Sequence, residues 1–397
     1  MCKYTNNERE IRSFIRIFAE KFRYKTVCLM LLNSISILNY RSLSSVELDL
    51  SPKINCFIGC NGVGKTNLLD AVYYLSFCKS AIATADTQHI KHEEQFFMIQ
   101  GSYVSDLGVN DEFSCGLKRG DKKQFKRNKK NYDKLSEHIG LVPLVMISPA
   151  DYNLISGGSE ERRRFMDVVI SQYDKEYLHA LIRYNRALAQ RNVMLRGDRE
   201  LDPEMMELVE QMMAAEAMRV YEGRANFVER LIPIFQQFYR DIAGEGEAVS
   251  LSYRSNLSDY SLAPLLAASR FDDRRVGYTT KGVHKDELVM QLNGYPIKKE
   301  GSQGQNKSYL VALKLAQFDF LHRCNGETPI LLLDDIFDKL DSRRVEQIVR
   351  LVSGERFGQI FITDVNRDHI DSILECTNGS YSLFEVSDGG AQLITGR

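Results

Sequence analysis

Phe57–Leu75 reads FIGCNGVGKTNLLDAVYYL, with three glycines, a lysine and a threonine inside eight positions between an apolar run and a helical pattern. The spacing Gly59-x-x-x-x-Gly64-Lys65-Thr66 is that of a phosphate-binding loop. Upstream, Ile54–Ile58 (INCFI) reads as a short buried strand. Downstream, Leu68, Leu69, Val72, Tyr73 and Leu75 recur at helical intervals. Gly59, Gly62 and Gly64 permit torsions and close approaches that a side chain would block. The loop Gly59, Cys60, Asn61, Gly62, Val63, Gly64, Lys65, Thr66 and Asn67 can then turn its amides onto an anionic phosphate. Lys65 is placed to reach the β and γ phosphates of a nucleoside triphosphate, and the Thr66 hydroxyl to ligate Mg²⁺.

The acidic partner of such a loop lies far along the chain. Ile330–Leu333 (ILLL) runs directly into Asp334 and Asp335. A buried strand ending in a carboxylate is how phosphate-loop proteins hold the Mg²⁺ contact, which points to Asp334. Asp335, one position on, is placed to orient or deprotonate an attacking water. Ser302-Gln303-Gly304-Gln305 opens a third element, a helix carrying Val311, Leu315, Phe318 and Leu321 on one face. A serine and free amides at a helix start suit an anion.

At 397 residues the chain has room for two domains or one with a large insertion. Its 44% hydrophobic and 26% charged residues describe a globular protein. The net charge of −1 is silent on nucleic acid, because a local patch hides inside a neutral total. Eight scattered cysteines without a C-x-x-C pair indicate neither a zinc site nor a disulfide framework, and fit a reducing cytoplasm. No apolar run approaches the ~20 residues that cross a bilayer, so no membrane association is expected.

Residues 1–29 precede the first clear strand and read as an N-terminal extension, with Met30 an alternative start. LLNSISILNY and VELDLSPKINCFI read as two strands feeding the phosphate loop, and 96–147 alternate in strand fashion. From 149 two long helical patterns follow, SEERRR…VMLR and PEMMEL…YRDI, without sustained heptads. Asn293-Gly294 suits a hairpin turn. The expected fold class is α/β: a P-loop nucleotide-binding lobe in two parts, 30–148 and 281–397, with an inserted, mainly helical lobe at 149–280.

Together, SISILNYRSL, GCNGVGKTNLLDAVYYLSF, the SPADYNLISGGSEERRRFMD block, GVHKDEL, SQGQNKSYLVALKLAQ and LLLDDIFDKLD resemble the ATP-binding-cassette superfamily. Within its SMC-like DNA-repair branch, they are most similar to the RecF family of bacterial recombination mediators. The resemblance implies that the two lobes are an ABC-type ATPase lobe and its arm lobe, and that the chain forms an ATP-dependent head-to-tail homodimer with two nucleotides held between protomers. Ser302, Gly304 and Gln305 would meet the γ phosphate carried by the other subunit's Lys65, and Asp341 would lie in the loop crossing the interface. It further implies a weak ATPase working as a switch, binding to gapped DNA and single/double-strand junctions, and RecO- and RecR-type partners that load RecA. The chain departs from transporter cassettes in having SQGQ for LSGGQ and Asp334-Asp335 for Asp-Glu. Asp364 stands where many cassettes place a histidine, so no switch histidine is assigned.

KRGDKKQFKRNKK, residues 118–130, is a basic run able to neutralise several phosphates or to form a solvated hairpin. Arg162-Arg163-Arg164 and Gln190-Arg191-Asn192 are open between structural and interlobe roles. His284 is expected at the hinge where the chain re-enters the ATPase lobe. A transporter nucleotide-binding subunit and a non-hydrolysing interaction protein are the alternative functions. The long helical insertion speaks against the first.

Overall fold

The computed structural model describes residues 30–396 apart from 83–84, 106–107, 198–201, 338–341, 355 and 376–379. The extension 1–29 and Asp341 therefore lie outside the described residues.

The phosphate loop sits between two sheets. An antiparallel sheet is built from β1 (Met30–Tyr40), β2 (Leu43–Asp49), β4 (Phe96–Ser105), β5 (Asn110–Lys118), β6 (Gln124–Arg127) and β7 (Lys130–Asn131), in the order β2-β1-β4-β5-β6-β7. The second sheet, ordered β15-β14-β3-β13-β12-β8, contains β3 (Ile54–Ile58), β8 (Leu144–Ile147), β12 (Ile330–Asp334), β13 (Ile360–Asp364), β14 (Tyr381–Ser387) and β15 (Gly390–Gly396). Its strands are parallel except for the β14–β15 hairpin.

VELDLSPKINCFI, expected as one strand, is two strands in different sheets. The chain crosses from one to the other at Ser51–Lys53, where Pro52 cannot donate to a ladder. The parallel strands are buried on both faces, as a two-sided sheet requires. Phe57, Leu332, Phe361 and Phe384 face one core, shared with the antiparallel sheet and α1 (Lys65–Phe77). Cys56, Leu331, Leu333, Ile360 and Ile362 face a second core, shared with the helices.

Those helices are α2 (Ser159–Tyr173), α3 (Lys175–Arg196), α4 (Pro203–Ala243), α5 (Leu262–Val276), α6 (Gln303–Asn325), α7 (Ser342–Val352) and α8 (Arg367–Glu375). The first helical pattern breaks at Asp174, whose extended backbone ends α2 and whose carboxylate accepts from the Tyr177 amide to cap α3. The arm is pinned by buried charge. Arg191 on α3 bonds to Glu210 on α4, to Asp273 on α5 and to the Thr279 hydroxyl. α4 has 41 residues and packs along α6, with Phe235 and Tyr309 rings 4.7 Å apart and Phe227 and Phe320 rings 5.0 Å apart. α6 is buried nearly all round rather than on one face, because α4 covers the side away from the sheet.

A three-stranded sheet, β11-β10-β9, joins β9 (Val249–Arg254) at the end of the arm to β10 (Glu287–Leu292) and β11 (Tyr295–Pro296). Asn293 and Gly294 both adopt positive φ, 51° and 82°, in the tight turn between β10 and β11. Where the chain re-enters the sheets, Arg162 pairs with Glu287, Arg163 donates to the Asp286 carbonyl, and His284 bonds Tyr184 and the Thr279 carbonyl.

Candidate functional site

The loop after β3 has the geometry its glycines allow. Gly64 has φ 114°, and a Cβ there would lie 2.8 Å from the Ser42 hydroxyl. A Cβ on Gly59 would lie 2.5 Å from the Val386 carbonyl of the neighbouring strand. Cys60, Asn61 and Gly62 are exposed on the outside of the loop and Val63 is half-buried. Lys65 is buried in the first turn of α1, and its ammonium donates to the Gly59 and Cys60 carbonyls at 2.8 and 2.9 Å. The cation is thus held inside the loop, over the place its amides surround.

The acidic strand ends beside it. β12 neighbours β13, which neighbours β3, so Asp334 stands one strand away from the loop. Its Oδ1 accepts from the Thr66 hydroxyl at 3.0 Å and from the Thr363 hydroxyl at 2.7 Å. Burial raises the Asp334 pKa, opposed by the two hydroxyl donors. A buried carboxylate of this kind is relieved by a nearby cation. One threonine hydroxyl with one carboxylate also fits Mg²⁺, which takes few protein ligands and completes its shell with water and phosphate oxygens. Among the described residues no cluster of three or more His, Cys, Asp or Glu forms a dedicated metal cage. His89 is buried, stacked on Tyr40 with ring centres 5.6 Å apart, while His92 is exposed.

Asp335 leaves the sheet in a left-handed conformation, φ 49°, which Asp tolerates better than most residues. Its amide donates to the Thr363 carbonyl and hydroxyl. The half-buried carboxylate borders a cavity of about 480 Å³ that Ser148, Gln303 and Lys307 also line.

Two residues near the loop were not singled out from sequence as site residues. Thr363, on β13, joins Asp334 to Asp335. Arg41, from the turn between β1 and β2, donates to Asn67 at 3.2 Å, and Asn67 donates to Ser42. Arg41 lies 3.9 Å from Asp70, which also accepts from Tyr40 and Ser80. The available signal was the position of Arg41 in NYRSL, within the run that carries the family resemblance.

Ser302, Gly304 and Gln305 form the start of α6. Ser302 is exposed, and it and Gln305 cap one another: the Ser302 hydroxyl accepts from the Gln305 amide while the Gln305 Oε1 accepts from the Ser302 amide. A Cβ on Gly304 would lie 2.6 Å from an Arg344 guanidinium nitrogen. Among the described residues, the hydrogen bonds of this turn run within itself, into α6 and to Glu247, and none reaches residues 59–67. Past β13, Asp364 holds His369 through a 2.9 Å contact to its Nδ1, so a histidine stands in this region on α8 rather than at the strand end.

A strand–glycine loop–helix, a threonine bonded to the aspartate ending a nearby parallel strand, and a covering antiparallel sheet define a P-loop ATPase of the ABC type. The family model described as "RecF/RecN/SMC N terminal domain" matches residues 31–382. The chain is 62% identical over 361 residues to the DNA replication and repair protein RecF of Phocaeicola vulgatus, covering 91% of this chain and 97% of that one. It is 59% identical over 360 residues to its counterpart in Bacteroides thetaiotaomicron, with 91% and 98% covered. A solved structure of "the recombination mediator protein RecF-ATP in RecFOR pathway" superposes with a TM-score of 0.82 at 28% identity, covering 92% of this chain and 100% of that one. The Smc head domain from Pyrococcus furiosus shares the fold, with a TM-score of 0.55 at 15% identity over 93% and 96% of the two chains. The chain belongs to the RecF family of SMC-like ATPases.

Proposed function

We propose that this chain is a DNA replication and repair protein that uses ATP as a reversible joint between two copies of itself on DNA. ATP occupies Gly59–Asn67, with Lys65 on the β and γ phosphates and the Thr66 hydroxyl and Asp334 holding Mg²⁺. Bound there, Mg²⁺ supplies charge neutralisation at the phosphate oxygens. The Ser302-Gln303-Gly304-Gln305 turn of a second copy closes over the γ phosphate, with Asp341 in the crossing loop. Asp335 accepts the proton of the attacking water. Loss of the γ phosphate removes the bridge, and the copies part.

The observation that carries this reading is the division of the site. The loop, Lys65 and Asp334 are assembled within one chain, while the α6 start makes no hydrogen bond to that loop among the described residues. A helix start whose Gln303 borders the Asp335 cavity of its own chain, but whose hydrogen bonds do not reach residues 59–67, is suited to a phosphate presented by another copy. The named relatives support a role in DNA replication and repair, and the RecF-ATP structure supports a place in the RecFOR pathway. Gapped or junction DNA, RecO- and RecR-type proteins and RecA are the setting that the family resemblance implies. The basic hairpin supports the DNA contact: Lys118, Lys122, Lys129 and Lys130 are exposed on the edge of the antiparallel sheet. Others of that run are already engaged, Lys123 with Asp86 and Arg127 with Asp111. Among the described residues no helix is long and apolar enough to cross a membrane.

Lys65→Met tests the nucleotide assignment. Sedimentation with ATP is expected to give dimers for the parent chain and monomers for the variant. ATP-driven dimers of Lys65→Met would remove Lys65 from the joint.

A further inference from the structure

The turn that opens α6 is not held by its own helix alone. Gln305 spends its carbonyl oxygen on the Ser302 amide at 2.8 Å, which leaves its amide nitrogen to be placed by something else. That group is Glu247, whose Oε1 accepts from Gln305 Nε2 at 2.7 Å. Glu247 lies far back in the chain, in the connection between α4 and β9. Its other carboxylate oxygen accepts from the Tyr239 hydroxyl on α4. Tyr239 is buried, and burial together with this bond raises its phenol pKa, which favours the hydroxyl as donor. The backbone beside Glu247 is fixed as well. The Ala248 amide donates to the Asn293 side chain at 2.7 Å, and the Ala248 carbonyl in turn accepts from the Asn293 amide at 2.6 Å.

We infer that Glu247 is a positioning residue through which the helical arm sets the conformation of the Ser302–Gln305 turn. This rests on the reading above that the turn meets nucleotide held by a second copy. The chemistry follows from the side-chain amide. One Nε2 hydrogen goes to Glu247, and the second is left for an acceptor such as a phosphate oxygen. The carboxylate on one side and the Ser302 amide on the other allow one orientation of that amide. If it flipped, its oxygen would face the carboxylate and its nitrogen the Ser302 amide, losing both bonds at once. Without Glu247 only the capping bond orients Gln305. Because Tyr239 and Glu247 belong to α4 and its exit loop, any shift of the arm along α6 is carried to the turn through this carboxylate.

The test compares Glu247→Ala and Glu247→Gln with the parent, using the full-length chain. Two readouts are needed: binding of a fluorescent ATP analogue to the monomer, and the ATP-driven monomer–dimer constant from sedimentation. Glu247→Ala is expected to bind nucleotide within about twofold of the parent and to dimerise at least about tenfold more weakly. That is at least about 1.4 kcal/mol, near the lower end of what a hydrogen bond to a charged group contributes. Glu247→Gln keeps a carbonyl acceptor for Gln305 and is expected to recover most of the loss. Equal dimerisation of Glu247→Ala and the parent overturns the inference while leaving the nucleotide joint standing. A parallel loss of monomer nucleotide binding overturns it too, since that marks a general fold defect. A parent chain that does not dimerise with ATP removes the joint itself, and the inference with it.

Discussion

Asp335 stands where the buried strand has just ended and the backbone turns left-handed, so its carboxylate points out of the sheet while Asp334 stays within it. That difference separates their proposed tasks. Asp334 is surrounded by hydroxyl donors and suited to a metal, whereas Asp335 borders open space and is suited to a water. Asp335→Asn keeps size and removes the base. Single-turnover phosphate release is expected to fall by about 10²–10⁴-fold, the usual worth of a general base, with ATP binding retained. Unchanged release would take Asp335 out of the chemistry. At this scale the sequence carries the phosphate loop well, because its glycines, lysine and threonine have a fixed spacing along one short segment. It carries Thr363 and Arg41 poorly, because their neighbours are set by strand order and not by chain distance.

At the scale of elements, buried charge fixes the arm. Arg191, fully buried, holds α3 against Glu210 of α4 and Asp273 of α5. Arg191→Ala would leave buried Asp273 without its cation, with only the Ser269 and Thr280 donors, while Glu210 keeps Arg270. It is expected to cost about 3–5 kcal/mol, read as a lowered midpoint in urea unfolding. A loss below about 1 kcal/mol would mean that the pair is solvated in the working protein. The residues 190–192 were open between roles from sequence, since a run of polar residues on a helix reads as solvated until its partners are known. The break between α2 and α3 was hidden for a related reason. Asp174 stops one helix and caps the next without any glycine or proline nearby. The break between β2 and β3 had a signal, Pro52, which an unbroken strand cannot accommodate.

For the whole molecule, the nucleotide site and the basic hairpin are linked through one sheet and one helix. The antiparallel sheet carries β5–β6 at one side and shares its core with α1, which begins at the phosphate loop. DNA held along the hairpin would therefore lie on the same rigid layer as the nucleotide. Replacing Lys118, Lys122 and Lys130 together by Glu is expected to weaken binding to gapped DNA at least about tenfold. The slope of log K against log salt should also become shallower, by about 0.9 for each phosphate that the variant no longer neutralises. An unaltered slope would place the DNA on another face. The shift from strand to helical periodicity near residue 149, which the helices α2 to α5 follow, was legible in the sequence. The carboxylate of Glu247 was not, because its role appears only once α4 is laid against α6.

Sharing of one nucleotide site between two copies is the claim on which the function depends, and ATP turnover in a mixture of two inactive variants tests it directly. Lys65→Met lacks a working loop but keeps its Ser302 turn, and Ser302→Arg keeps its loop but presents a blocked turn. A mixed dimer contains one complete site. The account expects negligible turnover from either variant alone and restored turnover, at a fraction of the parent's rate, from the mixture. Full turnover by Ser302→Arg alone, or a mixture as inactive as its components, would contradict it.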